Sequence, residues 1–96
     1  MIIKVKGYLT YRDVIGKLEF EQHDDPPISL LEFVQILAEK IGGEHGDALF
    51  DAEHQTIGPS VVIMLNGLHS NHLPDRLNTI LKDQDEIAVF PPGAGG

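Results

Sequence analysis

The end of the printed sequence carries one chemical group that another protein could reach easily. Residues 90–96 read Phe-Pro-Pro-Gly-Ala-Gly-Gly and stop on the carboxylate of Gly96. Proline fixes φ and lacks an N–H group, so we expect Phe90 to close a strand and Pro91 to begin an extended arm. Six residues past Phe90 reach at most about 20 Å. We predict that 91–96 form a thin, flexible tail that enters a narrow channel in a partner, although terminal glycines alone are weak evidence.

The histidines are the second set of residues that could do chemistry. His69 and His72 are three residues apart, and His45 and His54 lie in a long predicted connection. The chain has no cysteine and no H-E-x-x-H motif, so a zinc site would need histidines from separate segments. We therefore expect surface histidines, with no metal and no cofactor bound.

Neighbouring carboxylates occur at 24–25 and at 83–85, in Asp-Asp and Asp-Gln-Asp. Both stand at predicted turns, where aspartate is favoured because its side chain bonds to the nearby backbone. The glycines of 42–46 follow a helix instead of opening one, so they do not match a phosphate-binding loop. These residues predict turns, and we do not expect the chain to be an enzyme.

Length and charge restrict the classes of partner. The 96 residues correspond to one domain with one modest core. A formal net charge of −8 disfavours nucleic acid and suits docking onto a basic protein surface. No apolar run approaches the roughly 18 residues that cross a membrane, and no signal peptide is indicated. We expect a cytoplasmic protein with protein partners, without nucleic-acid or membrane partners.

The first half of the chain predicts a hairpin and then a helix. Alternating apolar residues over 1–6 and 17–21 predict two antiparallel strands, with Leu18 and Phe20 facing inward. The segment 7–16 between them is predicted to be turn-like. Apolar residues at helical spacing then predict a helix over 29–41 with one buried stripe.

The helix carries signals at both ends. Ser29 is the predicted N-cap, and Glu32 completes a capping box in which each side chain accepts a hydrogen bond from a free backbone N–H group. Gly42 is expected to end the helix. The segment 43–60 is then predicted to be a long connection in which 49–50, Leu-Phe, contact the core, with a short helical turn as one form that this contact could take.

The second half predicts two strongly apolar strands, 61–65 and 86–90. Asn66-Gly67 between them is a strong signal for a two-residue turn. If Val61, Ile63 and Leu65 face the helix, Val62 and Met64 face outward. We predict that these two side chains belong to a docking surface for a partner.

The predicted order of elements is strand, strand, helix, connection, strand, turn-rich segment and strand. A single amphipathic helix needs one face of a sheet to cover it, and a mixed four- or five-stranded sheet supplies that face. We predict an α+β fold of the β-grasp, ubiquitin-like type, with a domain over 1–90 and a tail over 91–96. The last strand is expected to lie centrally beside the first, because it lacks the charges that protect a sheet edge.

Three segments carry a family resemblance. Residues 11–16 look like an Arg-x-x-x-Gly segment, and residues 62–67 look like a strand that ends in Asn-Gly. Residues 83–96 are similar to a closing pattern of D-x-D-E, alternating apolar residues, F-P-P and G-G. The chain thus resembles the ubiquitin-like sulfur carriers, the MoaD/ThiS-like proteins, and most closely the small subunit of molybdopterin synthase.

The resemblance implies a carrier and not a catalyst. An E1-like enzyme would use ATP and Mg²⁺ to adenylate the carboxyl group of Gly96, and a sulfur donor would then leave a thiocarboxylate there. A larger synthase subunit, or another sulfur-acceptor enzyme, would take the sulfur for molybdopterin in molybdenum or tungsten cofactor synthesis. The residues expected to contact these partners, besides the outward pair, are Phe90, Pro91, Pro92, Gly93, Ala94 and Gly95.

Other functions stay open at this point. A ubiquitin-like modifier would use the same adenylation step and join Gly96 to lysines of target proteins through isopeptide bonds. A sulfur carrier for thiamine or for tRNA thiolation would share the tail, although thiamine-pathway carriers usually lack Phe-Pro-Pro. A plain interaction domain would carry the tail without using it.

Overall fold

The computed structural model of the chain describes residues 1–59 and 61–91. Its strands are β1 (Ile2–Gly7), β2 (Lys17–Glu21), β3 (Phe50–Asp51), β4 (Thr56–Ile57), β5 (Val62–Leu65), β6 (Leu68–His69) and β7 (Glu86–Phe90). Its α-helices are α1 (Thr10–Val14), α2 (Leu30–Ile41) and α3 (Gly43–Leu49). Short 3-10 helices occupy Ser70–His72 and Arg76–Asn78. Within the described ranges, no helix is long and apolar enough to cross a membrane.

The main sheet is mixed and has five strands in the order β2-β1-β7-β5-β6. The strand β1 pairs antiparallel with β2 and parallel with β7, which pairs antiparallel with β5 on its other side. The last strand therefore lies centrally beside the first, as the sequence predicts. A mixed sheet covered by one long helix confirms the α+β, β-grasp fold.

The helix α2 begins and ends where its signals indicate. The Ser29 Oγ accepts a hydrogen bond from the Glu32 N–H group at 3.1 Å, and the Glu32 Oε1 accepts one from the Ser29 N–H group at 3.0 Å. Gly42 follows the last turn with φ 67°. The buried stripe of α2 consists of Leu30, Phe33, Val34, Leu37 and Ala38, and it lies against the sheet.

The core lies between α2 and one face of the sheet, called here the inner face. Alternate residues of the three central strands point into it, and each is at most 5% exposed: Ile3, Val5, Ile63, Leu65, Ile87 and Val89. The register places Phe20 opposite Ile3 on this same face. The ring of Phe20 meets that of Phe33 edge to face at 5.2 Å, so β2 also contributes to the core.

The segment 7–16 differs from the prediction of a plain turn, because it contains the helix α1. Tyr11 and Ile15 are four residues apart and both are buried, so one short helical face packs on the domain. The Tyr11 hydroxyl donates a hydrogen bond to the His45 carbonyl oxygen at 3.2 Å, which joins α1 to α3. Burial raises the pKa of Tyr11.

The segment 43–60 is more regular than the predicted long connection with a short helical turn. It contains α3 and the small antiparallel pair β3–β4. Two glycines in seven residues give α3 a low intrinsic helix propensity, so the sequence alone argues against it. Burial of Leu49 and Phe50 in the core, which the sequence does predict, stabilises this segment through tertiary packing.

Candidate functional site: the tail base and the outer face of the sheet

The predicted reactive group and most of the predicted tail contacts lie outside the described residues. These are Pro92, Gly93, Ala94, Gly95 and Gly96. Of the predicted tail, 91–96, the structure describes Pro91, and this residue is buried. The sequence places the domain boundary before Pro91 and assigns it a partner contact. The burial of Pro91 differs from the exposed arm that local stiffness predicts at this position, whereas the domain boundary and the partner contact stay predictions.

Phe90 is the last residue of β7, and an aromatic stack fixes it. The Tyr8 and Phe90 rings are nearly parallel, at 12°, with their centroids 4.4 Å apart. The Tyr8 N–H group donates a hydrogen bond to the Val89 carbonyl oxygen at 3.0 Å. A stacked pair of this kind contributes about 0.5–1.5 kcal/mol beyond its buried area. The chain segment that leads to the predicted tail is therefore attached to the turn after β1.

Val62 and Met64 face away from α2, on the side of the sheet called here the outer face. Their neighbours Val61, Ile63 and Leu65 are buried, whereas both are half-buried, as the alternation predicts. The register places Val62 opposite Phe90 and Met64 opposite Ala88. The predicted pair thus adjoins Phe90 in one apolar surface, and its role in docking stays a prediction.

A shallow groove crosses the outer face beside this apolar surface. Among the side chains that line it are Lys4, Lys6, Tyr8, Lys17, Met64 and Phe90. The Lys6 Nζ lies 4.9 Å from the centroid of the Tyr8 ring, within the range of a cation–π interaction. Glu19 and Glu86 also line the groove, so aromatic, aliphatic, basic and acidic groups share this surface. Lys6, Tyr8 and Phe90 lie at the end of the sheet from which the tail departs.

The resemblance to an Arg-x-x-x-Gly segment also falls near this end of the sheet. Arg12 is exposed on α1, and Gly16 adopts φ 58° after that helix. This left-handed backbone favours glycine. The Gly16 carbonyl oxygen accepts a hydrogen bond from the Gly7 N–H group at 2.9 Å, so the glycine of the pattern has a backbone role between β1 and β2.

A hydrogen-bonded turn closes the other end of β7. The Asn66 Nδ2 donates to the Asp85 Oδ1, and the Glu86 N–H group donates to the Asn66 Oδ1, both at 2.9 Å. The Asp85 Oδ2 accepts from the Lys82 N–H group at 2.8 Å. This network connects the two-residue turn of 66–67 to the start of β7. It gives a structural reason for the strand ending in Asn and for the D-x-D-E pattern.

The carboxylates of this turn bond to backbone, as the sequence predicts. The Asp83 Oδ1 accepts a hydrogen bond from the Ile2 N–H group at 2.6 Å. This bond favours the ionised form and lowers the pKa of Asp83. Asp83 is thus committed to holding β1 beside the turn.

The histidines do not converge. The His69 and His72 rings meet edge to face at 6.0 Å, and the His54 Nδ1 lies 2.7 Å from the Asp51 Oδ2. Hydrogen bonds from His54 lower the pKa of Asp51. Over residues 1–59 and 61–91, no three or more His, Cys, Asp or Glu residues are grouped so that they could hold a metal ion.

Sequence reasoning missed Tyr8 and the lysines that lie beside it. Lys6 belongs to a strand whose alternation was visible, so its outward direction was predictable. Its closeness to Phe90 depends on the parallel pairing of β1 with β7, which brings together residues about 80 positions apart in the chain. No local pattern carries that information.

Comparisons with known proteins agree on one family. The sequence matches the ThiS family over residues 3–96. Small archaeal modifier protein 3 of Haloferax volcanii is 30% identical over 96 residues, which cover 100% of both chains. The solution structure of small archaeal modifier protein 1 of Methanosarcina acetivorans has a TM-score of 0.76 at 26% identity, covering 99% of this chain and 96% of that one. A putative molybdopterin converting factor subunit 1 from Pyrococcus furiosus has a TM-score of 0.56 at 25% identity, covering 96% and 98% respectively.

Proposed function

Because this chain belongs to the ThiS family of ubiquitin-like carrier and modifier proteins, we propose that it is a sulfur carrier activated at the carboxyl group of Gly96. The members of this family are small β-grasp proteins that are handled by other enzymes and are not themselves catalysts. The observation that carries the proposal is the closing sequence Phe-Pro-Pro-Gly-Ala-Gly-Gly directly after the central strand of the sheet. A carrier needs its reactive end to leave a rigid body in a defined direction.

The proposed chemistry begins with activation, because a carboxylate is a poor electrophile. An E1-like enzyme binds the tail with ATP and Mg²⁺. A Gly96 carboxylate oxygen attacks the α-phosphorus of ATP, pyrophosphate leaves, and an acyl-adenylate forms. Sulfide then attacks the acyl carbon, AMP leaves with the bonding electron pair, and a thiocarboxylate remains. This chain supplies the carboxyl group, and the enzyme supplies the catalytic groups.

Residues of the folded body present the tail to that enzyme. The stack of Tyr8 on Phe90 fixes the base of the tail, and Val62 and Met64 extend the apolar surface around it. Tail residues without large side chains, Gly93, Ala94 and Gly95, let channel walls approach the backbone closely. An enzyme that encloses the tail would cover this part of the outer face.

Molybdopterin synthesis in the cytoplasm is the pathway that we propose for the carrier. Its support is the F-P-P and G-G pattern of residues 90–96, together with the likeness to the putative molybdopterin converting factor subunit of P. furiosus. In that role the thiocarboxylate would enter a larger synthase subunit and donate sulfur to a pterin precursor. Thiamine synthesis and tRNA thiolation use the same activated group and are the pathway alternatives.

Protein modification is a second candidate function, and the full-length likeness to small archaeal modifier protein 3 favours it. In this role the activated Gly96 carbonyl carbon is attacked by a lysine amine of a target protein, AMP leaves, and an isopeptide bond forms. The two functions share the adenylate and differ in the nucleophile that attacks it.

Intact-mass spectrometry tests the proposal by following the loading reaction, in which the Gly96 carboxylate is converted to a thiocarboxylate. The chain is incubated with an E1-like adenylating enzyme, ATP, Mg²⁺ and sulfide, and the expected product is the free chain with one oxygen replaced by sulfur. A chain that lacks Gly96, and a reaction without ATP, are the matched controls and should show no mass change. Heavier conjugates that require Gly96 would favour the modifier function instead. A reaction that leaves the complete chain unchanged with every E1-like enzyme tried would contradict both functions.

A further inference from the structure

Two lysines stand directly opposite each other at the tail end of the outer face. The register of β1 and β2 pairs Lys6 with Lys17, and both side chains are exposed. The neighbour of Lys6 on β7 is Ala88, so no carboxylate lies directly opposite Lys6 on either adjacent strand, and Glu19 and Glu86 are its diagonal neighbours. Like charges directly opposite each other in an antiparallel pair destabilise the sheet.

The next pair along the outer face of β1 and β2 carries opposite charges. Lys4 is paired with Glu19 on β2 and with Glu86 on β7, so a carboxylate faces this lysine from each side. No ion pair within 4.0 Å is formed by Lys4, Lys6 or Lys17 among residues 1–59 and 61–91, so the contrast between the two rows lies in the residues directly opposite each lysine. Charge matching on this face therefore stops at the row nearest the tail.

The pair lies close to the tail base, which consists of Phe90 and the Tyr8 ring stacked on it. The ammonium group of Lys6 lies over the ring of Tyr8, which stacks on Phe90. Lys17 lies two strands away from β7, which corresponds to about 10 Å at the usual strand spacing. A protein that covers Phe90 and receives the tail would thus also reach the two lysines.

The charge of the pair is opposite to that of the protein. The chain has a net charge of −8, yet three of its five lysines lie on the outer face. The net charge by itself suggests a basic partner surface, whereas the two lysines at the tail base would attract acidic groups of a partner. Complementary charge at the rim of an interface mainly raises the association rate and selects the partner.

We propose that the Lys6–Lys17 pair is an electrostatic contact for a carboxylate-bearing segment of the activating enzyme, next to the apolar contact at Phe90. The proposal rests on the proposed function, since it names the chemistry of the partner that loads Gly96. In the free chain the two ammonium groups repel each other. In the complex, carboxylates of the enzyme lie between or beside them and offset that repulsion.

Loading rates as a function of salt concentration test the proposal. The variant Lys6→Gln/Lys17→Gln is compared with Lys40→Gln/Lys82→Gln, which has the same net charge. Lys40 lies on α2, and Lys82 lies in the turn at the far end of β7. The rates are measured at low salt and at a carrier concentration too low to saturate the enzyme. We expect the loading rate of the first variant to fall about tenfold and that of the second to stay within about twofold of the unmodified chain. The difference should nearly vanish at about 1 M salt, where charges are screened beyond roughly 3 Å.

A charge reversal adds a readout that a purely structural role would not give. Lys17→Glu places an opposite charge beside Lys6, so the thermal unfolding midpoint Tm of the isolated chain should rise by about 1–6 °C. The same variant should load more slowly than the unmodified chain. A higher Tm with unchanged loading would overturn the proposal, and so would equal loss of loading in the two double variants.

Two further outcomes separate the possible causes of failure. No loading of the unmodified chain would overturn the proposed function and this inference together, whereas normal loading with no effect of Lys6 and Lys17 would overturn the inference alone. Binding of a transfer RNA probe tests the alternative that the two lysines contact nucleic acid. Loss of RNA binding in the Lys6→Gln/Lys17→Gln variant, with loading unchanged, would assign the pair to nucleic acid and contradict an enzyme contact.

Discussion

The two faces of the five-stranded sheet are built from alternate residues of the same strands, yet they differ in chemistry. The inner face carries Ile63 and Ile87, which are at most 1% exposed. The outer face carries Met64, Phe90 and the unmatched Lys6. One residue along β5 thus separates a side chain packed against α2 from one available to a partner.

The difference shows where this small domain obtains its stability. The one long helix among the described residues, α2, covers one face of the sheet, so close packing is confined to the inner face. The outer face keeps a partly exposed apolar surface and a like-charge pair. Exposed apolar area and unmatched charges are best explained by binding, and here they lie together at the tail base.

Substitution of the two neighbours on β5 should give the largest contrast between the faces. Ile63→Ala removes a fully buried side chain and should lower the free energy of unfolding by about 2–5 kcal/mol. Met64→Ala removes a half-buried one and should lower it by less than about 1 kcal/mol. Urea denaturation measures both. In the loading reaction Met64→Ala should be the more defective of the two under conditions where both chains are folded, and equal losses in both assays would contradict the division of the faces.

Asn66→Gly should have an intermediate effect, at the end of β7 away from the tail. Glycine accepts the φ of 51° found at Asn66, so the substitution removes the two side-chain hydrogen bonds without adding backbone strain. We expect a loss of about 1–2 kcal/mol in the free energy of unfolding. Loading of Gly96 should be unchanged at a temperature where the variant is folded.

Asn66→Asp tests the hydrogen bond between Asn66 and Asp85 with a side chain of nearly the same size. It keeps an acceptor for the Glu86 N–H group but places a second carboxylate beside Asp85. This variant should therefore be less stable at neutral pH than in mild acid, relative to the unmodified chain. A variant with the same stability difference at both pH values would show that Asn66 and Asp85 do not interact in solution.

Asp83 should give the smallest effect, visible through its pH dependence. Its folded-state pKa is lowered by the hydrogen bond from the Ile2 N–H group. A lowered pKa means that the stabilisation is present above the unfolded-state pKa and is lost as the pH falls through the folded-state value. Asp83→Asn should thus lower Tm slightly at pH 7, and the difference should shrink as the pH falls below about 4. Lys82→Gln, in the same turn, should show no such trend.

The sequence by itself determined the elements whose signals are local. The capping box at Ser29 and Glu32, the two-residue turn at 66–67 and the alternation along β5 each depend on residues within a few positions of one another. The β-grasp order, the outward direction of Val62 and Met64 and the turn role of Asp83 followed from these signals. They could be predicted because hydrogen bonds and side-chain direction within one element follow from its own spacing.

The tertiary structure alone decided the features that depend on pairing between distant segments. The parallel register of β1 with β7 brings Lys6 and Tyr8 beside Phe90. The packing of Tyr11 makes a helix of a segment predicted to be turn-like, and that of Leu49 extends a possible helical turn to seven residues. Burial of Pro91 is a further case, because a proline-rich ending predicts an exposed arm from local stiffness. In each case the free energy comes from contacts between residues far apart in sequence, which no local pattern records.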